Sequence, residues 1–203
     1  MMVNSETALV IVDLQNDFCP GGALAVPDGD EIIPAVNRRI REHSLIAATK
    51  DWHPRTHVSF ASNHPGHSPF ETLETGFGTQ MLWPDHCIMG TPGAQLHPGL
   101  DLSAVSVILQ KGMQEQLDSY SAFFENDRRT PTGLHGFFQD HGITHLEICG
   151  LALDVCVYHT AMDARRLGYT VTLLTEASRG VDLPAGSVQQ RISKMEQQGV
   201  RIL

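Results

Sequence analysis

Ala8-Leu9-Val10-Ile11-Val12 runs without a break into Asp13. Five consecutive apolar residues, three of them β-branched, read as a strand covered on both faces, because a half-exposed strand would alternate polar and apolar positions. The same kind of run recurs at 45–49, 105–109, 146–149, 170–174 and 200–203. Between these runs, residues 30–43, 131–141, 154–168 and 185–198 carry apolar positions at helical spacing. Strands alternating with helices predict a three-layer α/β/α domain around a mainly parallel six-stranded sheet. Residues 52–100 break the alternation. They are rich in His, Pro, Gly and Trp and show weak periodicity. A stretch that long without clear elements points to a functional loop region inside one domain spanning 1–203.

Composition narrows the partners. The 203 residues are 41% hydrophobic and 18% charged, enough apolar material for a packed core. A net charge of −9 with no Lys/Arg cluster argues against nucleic acid. No apolar stretch reaches the length of a membrane span, and Met1–Glu6 has neither a basic segment nor a small-residue cleavage site. The cysteines Cys19, Cys87, Cys149 and Cys156 form no C-x-x-C pair, which fits a reducing cytoplasm. Oligomeric state stays open at this point, a homo-oligomer included.

In an open parallel sheet, sites form beyond the carboxyl ends of the strands. Those ends carry Asp13, then Asp51 followed by Trp52 and His53, then Lys111, then Gly150 with Cys156 shortly after. In Gly150-Leu151-Ala152-Leu153-Asp154-Val155-Cys156 the strand turns into a helix, with Asp154 placed as its N-cap and Cys156 in the first turn. Unpaired N–H groups and the helix dipole there favour a thiolate and can hold an oxyanion. Asp13 is the candidate base, and Lys111 the cation that lowers the pKa of both neighbours. Cys149 lies inside its strand and reads as an inert thiol. Asp51 and His53 alternate so that both side chains point the same way, a carboxylate–imidazole pair suited to Zn²⁺, Fe²⁺ or Mn²⁺. The residues leave the further ligand open among His57, His64, His67 and His86. The His53/His57 spacing would suit a one-turn helical clip.

Taken in order, Asp13-Leu14-Gln15-Asn16-Asp17-Phe18, Lys50-Asp51-Trp52-His53, Trp83-Pro84-Asp85-His86-Cys87, Lys111-Gly112 and Gly150-Leu151-Ala152-Leu153-Asp154-Val155-Cys156-Val157 resemble the nicotinamidases, of the isochorismatase-like cysteine hydrolases. The resemblance spans nearly the whole chain. It implies an Asp–Lys–Cys triad of Asp13, Lys111 and Cys156, and an oxyanion hole from the N–H groups of Ala152 and Cys156 beside a cis peptide near Leu151-Ala152. It implies Phe18, Leu24, Trp83 and Tyr120 around a substrate ring. It also implies one divalent metal, Zn²⁺ first with Fe²⁺ or Mn²⁺ as alternatives, on Asp51, His53 and His86. His57 is a second choice of ligand, and Ser59 a residue that reaches the metal through water.

The expected reaction is hydrolysis of nicotinamide to nicotinate and ammonia through a thioester, with pyrazinamide as a second substrate. An N-carbamoylsarcosine-type amidase is the nearest rival and would be favoured by a pocket without aromatic walls or metal. A Cys at the nucleophile position disfavours isochorismatase itself. A non-catalytic metal- or nucleotide-binding module is the alternative from a different class, and the absence of G-x-G-x-x-G after the first strand argues against a dinucleotide role.

Overall fold

A computed structural model describes residues 6–203, so the reading of Met1–Ser5 lies outside the described residues. Six parallel strands form one sheet: β1 Thr7–Val12, β2 Ile46–Asp51, β5 Val107–Lys111, β6 His145–Gly150, β7 Thr170–Ser178 and β8 Arg201–Ile202, in the spatial order β5-β2-β1-β6-β7-β8. Each coincides with a predicted apolar run to within a few residues, and β7 continues four residues past its prediction. The strand β1 is paired along its whole length with β6, from Thr7 opposite His145 to Val12 opposite Gly150, and with β2 on its other side.

Burial explains why β1 shows no alternation. Leu9 and Ile11 face one layer, which holds α1 (Ile33–Ile40). Ala8, Val10 and Val12 face the other, which holds α2 (Leu134–Asp140), α3 (Tyr158–Arg166) and α4 (Ser187–Gln197). All five are fully buried. Each buried Leu, Ile or Val side chain contributes roughly 1.5–3 kcal/mol, so this strand alone ties both helix layers to the sheet.

The strand order reverses at β1. The chain first moves outward through β2 and β5, then returns to lay β6, β7 and β8 on the other side. The crevice therefore opens beyond the carboxyl ends of β1 and β6. Residues 52–100 wind over that end. They contain an antiparallel hairpin, β3 Thr72–Thr75 and β4 Gly78–Met81, which the periodicity did not reveal. Its strands are four residues long and mostly exposed, so they need no apolar face. Isolated bridges from His53 to Ile88 and from Phe60 to Trp83 fasten this region down.

The turn after β6 corrects one expectation. It is a π turn over Leu153–Val157, with the Val157 N–H donating to the Ala152 carbonyl at 3.1 Å. The N-cap is Ala152, whose extended backbone (φ −87°, ψ 141°) suits that position, and no side chain caps the turn. Asp154 already lies inside the turn. Its carboxylate instead accepts from the N–H groups of Val181 (2.9 Å) and Asp182 (3.0 Å) and from Ser187 Oγ (2.5 Å), and so pins the 181–187 segment. The Leu151–Ala152 peptide is cis.

Gly150 lets β6 end against β1. Its φ is +117°, and a Cβ there would lie 2.7 Å from Val12 N and 2.9 Å from Val12 C, both in rigid backbone. Gly150→Ala combines that clash with an unfavourable dihedral. We expect a loss of about 3 kcal/mol or more, read as a lowered urea midpoint at unchanged slope. A midpoint within error of the parent would show that the two strands have room to separate.

Candidate active site

Three strand ends meet at one ammonium. The Nζ of Lys111, fully buried at the end of β5, lies 2.8 Å from Asp13 Oδ2 and 2.9 Å from the Ser119 carbonyl. It also contacts Asp51 Oδ1 and lies 3.7 Å from Cys156 Sγ. Asp13 sits just past β1 with a left-handed backbone (φ 46°) that turns its side chain into the crevice. Thr49 of β2 fixes it there. The Thr49 hydroxyl donates to Asp13 Oδ1 at 2.6 Å and accepts from the Asp13 N–H at 3.1 Å.

Burial sets the proton affinities. Asp13 is pushed up to about 6 by burial, against the pull of Lys111 and with the Asp51 charge adding to the rise. Asp51 is also buried, yet Lys111 and His53 hold it well below the usual carboxylate range. Lys111 stays charged because Asp13 and Asp51 outweigh its own burial. Burial pushes the Cys156 thiol well up. Lys111 opposes this, and Asp13 and Asp51 reinforce it. Lys111 lowers both neighbours, as expected, but the expectation that Cys156 is thereby favoured as a thiolate is corrected. Burial and the two carboxylates outweigh that pull. Cys156 is thus favoured as a thiol, beside an Asp13 carboxyl group raised to about 6. Burial likewise raises Cys149, to about 12, and Cys19, to about 11.

Beside this group, ligand atoms of Asp51, His53 and His86 lie within 4.8 Å of one another, all three residues buried. The Nδ1 of His53 bonds the Gly112 carbonyl at 2.8 Å, and the Nδ1 of His86 bonds the Pro84 carbonyl at 2.7 Å. A carbonyl only accepts, so both Nδ1 atoms carry the hydrogen and both Nε2 atoms are left to face a ligand. His86 is pushed down to about 4 by burial and by His53, which keeps it neutral. Around Lys111, two carboxylates share a single positive charge. Converging nitrogen and oxygen donors with an excess of negative charge fit a divalent cation. Gly112 (φ +64°) is part of the fit, since a Cβ there would lie 2.7 Å from His53 Nδ1.

The other histidines fall elsewhere. Residues 54–57 form a turn, not a helix, so the helical clip is absent. His57 stacks on His53 at 4.2 Å, with Nδ1 2.7 Å from Ser59 Oγ and Nε2 3.3 Å from the Leu117 carbonyl. His57, His53 and Asp118 form a second close group. His64 bonds the Val58 carbonyl, and His67 pairs with Glu71.

A cavity lies against both the histidine cluster and the thiol. Asp51, His86, Cys156 and Ala152 all line it, with Phe18, Leu24, Trp83 and Tyr120 among the walls, and the ligand atoms of Asp51 and Cys156 lie within 4.8 Å of each other. Trp83 Nε1 donates to the Tyr120 hydroxyl at 3.3 Å. Sequence reasoning missed Asp118, which lines the cavity, and Gln80 on β4, whose amide donates to Asp118 Oδ2 at 2.7 Å. Neither belongs to a motif. The one available signal was a lone acid seven residues past Lys111.

The isochorismatase domain model matches residues 7–203. The chain belongs to the isochorismatase family. Within that family it is 46% identical, over 97% of this chain and 92% of the other, to a nicotinamidase of Acinetobacter baylyi. It superposes with a TM-score of 0.96 and 46% identity on a nicotinamidase/pyrazinamidase of Acinetobacter baumannii, covering 98% of this chain and 96% of that one. A pyrazinamidase of Pyrococcus horikoshii, solved in complex with zinc, superposes with a TM-score of 0.80 and 35% identity, covering 98% of each chain. The isochorismatase-family fold is therefore shared over nearly the full length.

Lys111→Met removes the cation that lowers Asp13. Asp13 then protonates at higher pH, so the acidic limb of kcat/KM should move upward from its position near 6. Activity at neutral pH should fall by about 10²-fold or more. A pH–rate profile that keeps its limb and its plateau would show that Lys111 has no part in setting Asp13.

Proposed function

We propose that this protein, acting as one domain over 1–203 with 52–100 supplying much of the binding region, is a cytoplasmic nicotinamidase. It hydrolyses nicotinamide to nicotinate and ammonia, and pyrazinamide in the same way. The observation that carries this reading is the cavity itself. Its walls include aromatic side chains, and a thiol and a set of nitrogen and oxygen donors open into it together. A heteroaromatic carboxamide has a matching shape, with a ring nitrogen at one edge and an electrophilic carbon at another. The aromatic walls favour it over an N-carbamoylsarcosine-type substrate. Among the described residues no helix is long and apolar enough to cross a membrane.

In this mechanism the ring lies between Phe18 and Trp83, with Leu24 and Tyr120 completing the walls. Asp13 takes the proton of Cys156 as Sγ attacks the carboxamide carbon. The N–H groups of Ala152 and Cys156 receive the negative charge on the carbonyl oxygen, an effect typically worth about 3–4 kcal/mol. Among the described residues the Ala152 N–H has no backbone partner, so it is available for this role. Asp13 hands its proton to the departing nitrogen, and ammonia leaves. Asp13 then takes a proton from water as that water attacks the thioester, and nicotinate leaves as the thiol is restored. Lys111 keeps Asp13 ionised when the cycle needs a base. Asp51, His53 and His86 would hold the divalent ion, zinc in the first instance, which supplies a Lewis-acidic anchor for the ring nitrogen when bound.

Cys156→Ala should reduce ammonia release from nicotinamide by about 10³-fold or more and leave the unfolding midpoint nearly unchanged. Cys149→Ala should stay active. An active Cys156→Ala protein would end the nucleophile assignment. For the ion, His86→Ala should lower bound metal, measured by elemental analysis, and raise KM for nicotinamide in a folded protein. His64→Ala and His67→Ala should change neither. Full metal occupancy in His86→Ala would move the assignment to His57.

A further inference from the structure

The cavity beside Cys156 continues outward into an apolar groove. The two share Trp83, Val155 and Val181. Beyond those three, the groove is walled by Phe70, Met81, Leu183 and Pro184, with no charged side chain among them. Its two banks are built differently. Phe70 packs its edge against the Trp83 ring at 6.1 Å, so this bank leans on the cavity wall. Leu183 belongs to the 181–187 segment, which the Asp154 carboxylate fastens from inside the turn carrying Cys156. Phe70 is 46% exposed and Leu183 59% exposed. Two large apolar side chains thus stand in water at the mouth of the cavity, held by the same elements that build it.

This inference rests on the nicotinamidase reading. With the ring nitrogen at the histidine cluster and the carboxamide at Cys156, the one ring carbon adjacent to neither is carbon 5. We infer that the groove is a substituent subsite, taking an unbranched alkyl group carried on carbon 5 of a pyridine-3-carboxamide. A chain starting at the ring would leave the cavity past Trp83, Val155 and Val181 and lie between Phe70 and Leu183. Each methylene that becomes buried improves binding by about fourfold. A polar or charged substituent would lose its hydration and meet no partner, so the subsite selects apolar groups.

The test uses a homologous series: nicotinamide and its 5-methyl, 5-ethyl and 5-propyl derivatives, with ammonia release as the readout. KM should fall along the series by about threefold to fourfold per carbon. Leu183→Asp should flatten that trend and leave the kinetics of nicotinamide itself unchanged, since Leu183 touches none of the proposed machinery. Phe70→Ser should flatten the trend from the opposite bank. A KM that stays flat or rises from methyl to propyl, in a protein that turns over nicotinamide, overturns the subsite. So does a falling series that both variants leave intact. Failure to hydrolyse nicotinamide at all would instead overturn the nicotinamidase reading on which the subsite rests.

Discussion

A single buried ammonium holds the crevice together. Lys111 has no exposure to water, and an unpaired charge in that position would cost several kcal/mol. Asp13 and Asp51 make its burial tolerable, and they reach it only because β1, β2 and β5 end at the same level in adjacent positions of the sheet. The dependence is mutual. Without Lys111, two carboxylates would face each other in a dry site. The geometry of nucleophile, base and histidine cluster is therefore one linked arrangement, with Asp51 belonging to both halves. A slip of one residue in the register of β2 against β5 would turn the Asp51 side chain to the other face and separate them.

Much of this was legible in the sequence because the fold places chemistry where a simple rule looks for it. The run ending at Asp13 is unbroken because its strand is covered on both faces, and the residues that follow the runs of β1, β2, β5 and β6 lie at the carboxyl rim. Asp51 and His53 sit on one face because the backbone between them is extended. The four apolar residues expected around a ring all line the cavity. That expectation came from resemblance, since Phe18 and Tyr120 carry no signal that separates a cavity wall from a core position.

The parts that were not legible depend on contacts distant in sequence. Asp154 has the residue type of a helix cap, yet its partners are Val181, Asp182 and Ser187, and a local rule has no access to them. The π turn arises where the β6 strand must release the chain beside Val12, which Gly150 permits and sequence spacing does not express. The hairpin β3–β4 has little apolar surface to bury, so it left no periodicity, although its Gln80 holds Asp118 at the cavity. The histidine-rich segment posed a different problem. The six histidines of residues 52–100 look alike in the sequence, and what sets His53 and His86 apart is a backbone carbonyl that takes Nδ1 and leaves Nε2 facing inward. That is settled by Pro84 and Gly112, neither of which is itself a ligand type.

The raised thiol has a consequence for how such a site handles protons. A thiolate formed in advance by a nearby cation would have lost its proton to solvent, and the leaving nitrogen would then need another donor. In the proposed mechanism the proton stays on Cys156 until attack and passes to the Asp13 carboxyl group beside it, where it remains available for the departing ammonia. The carboxyl group must hold and release a proton within one cycle, which requires an affinity near neutrality. Burial alone would carry Asp13 too high to ionise, and an unopposed Lys111 would hold it too low to keep the proton. Asp51 shares the ammonium with Asp13, and the value near 6 is the balance of these opposed effects. The second carboxylate on Lys111 thus tempers the base as well as facing the histidine cluster, which gives a physical reason for one lysine to touch both.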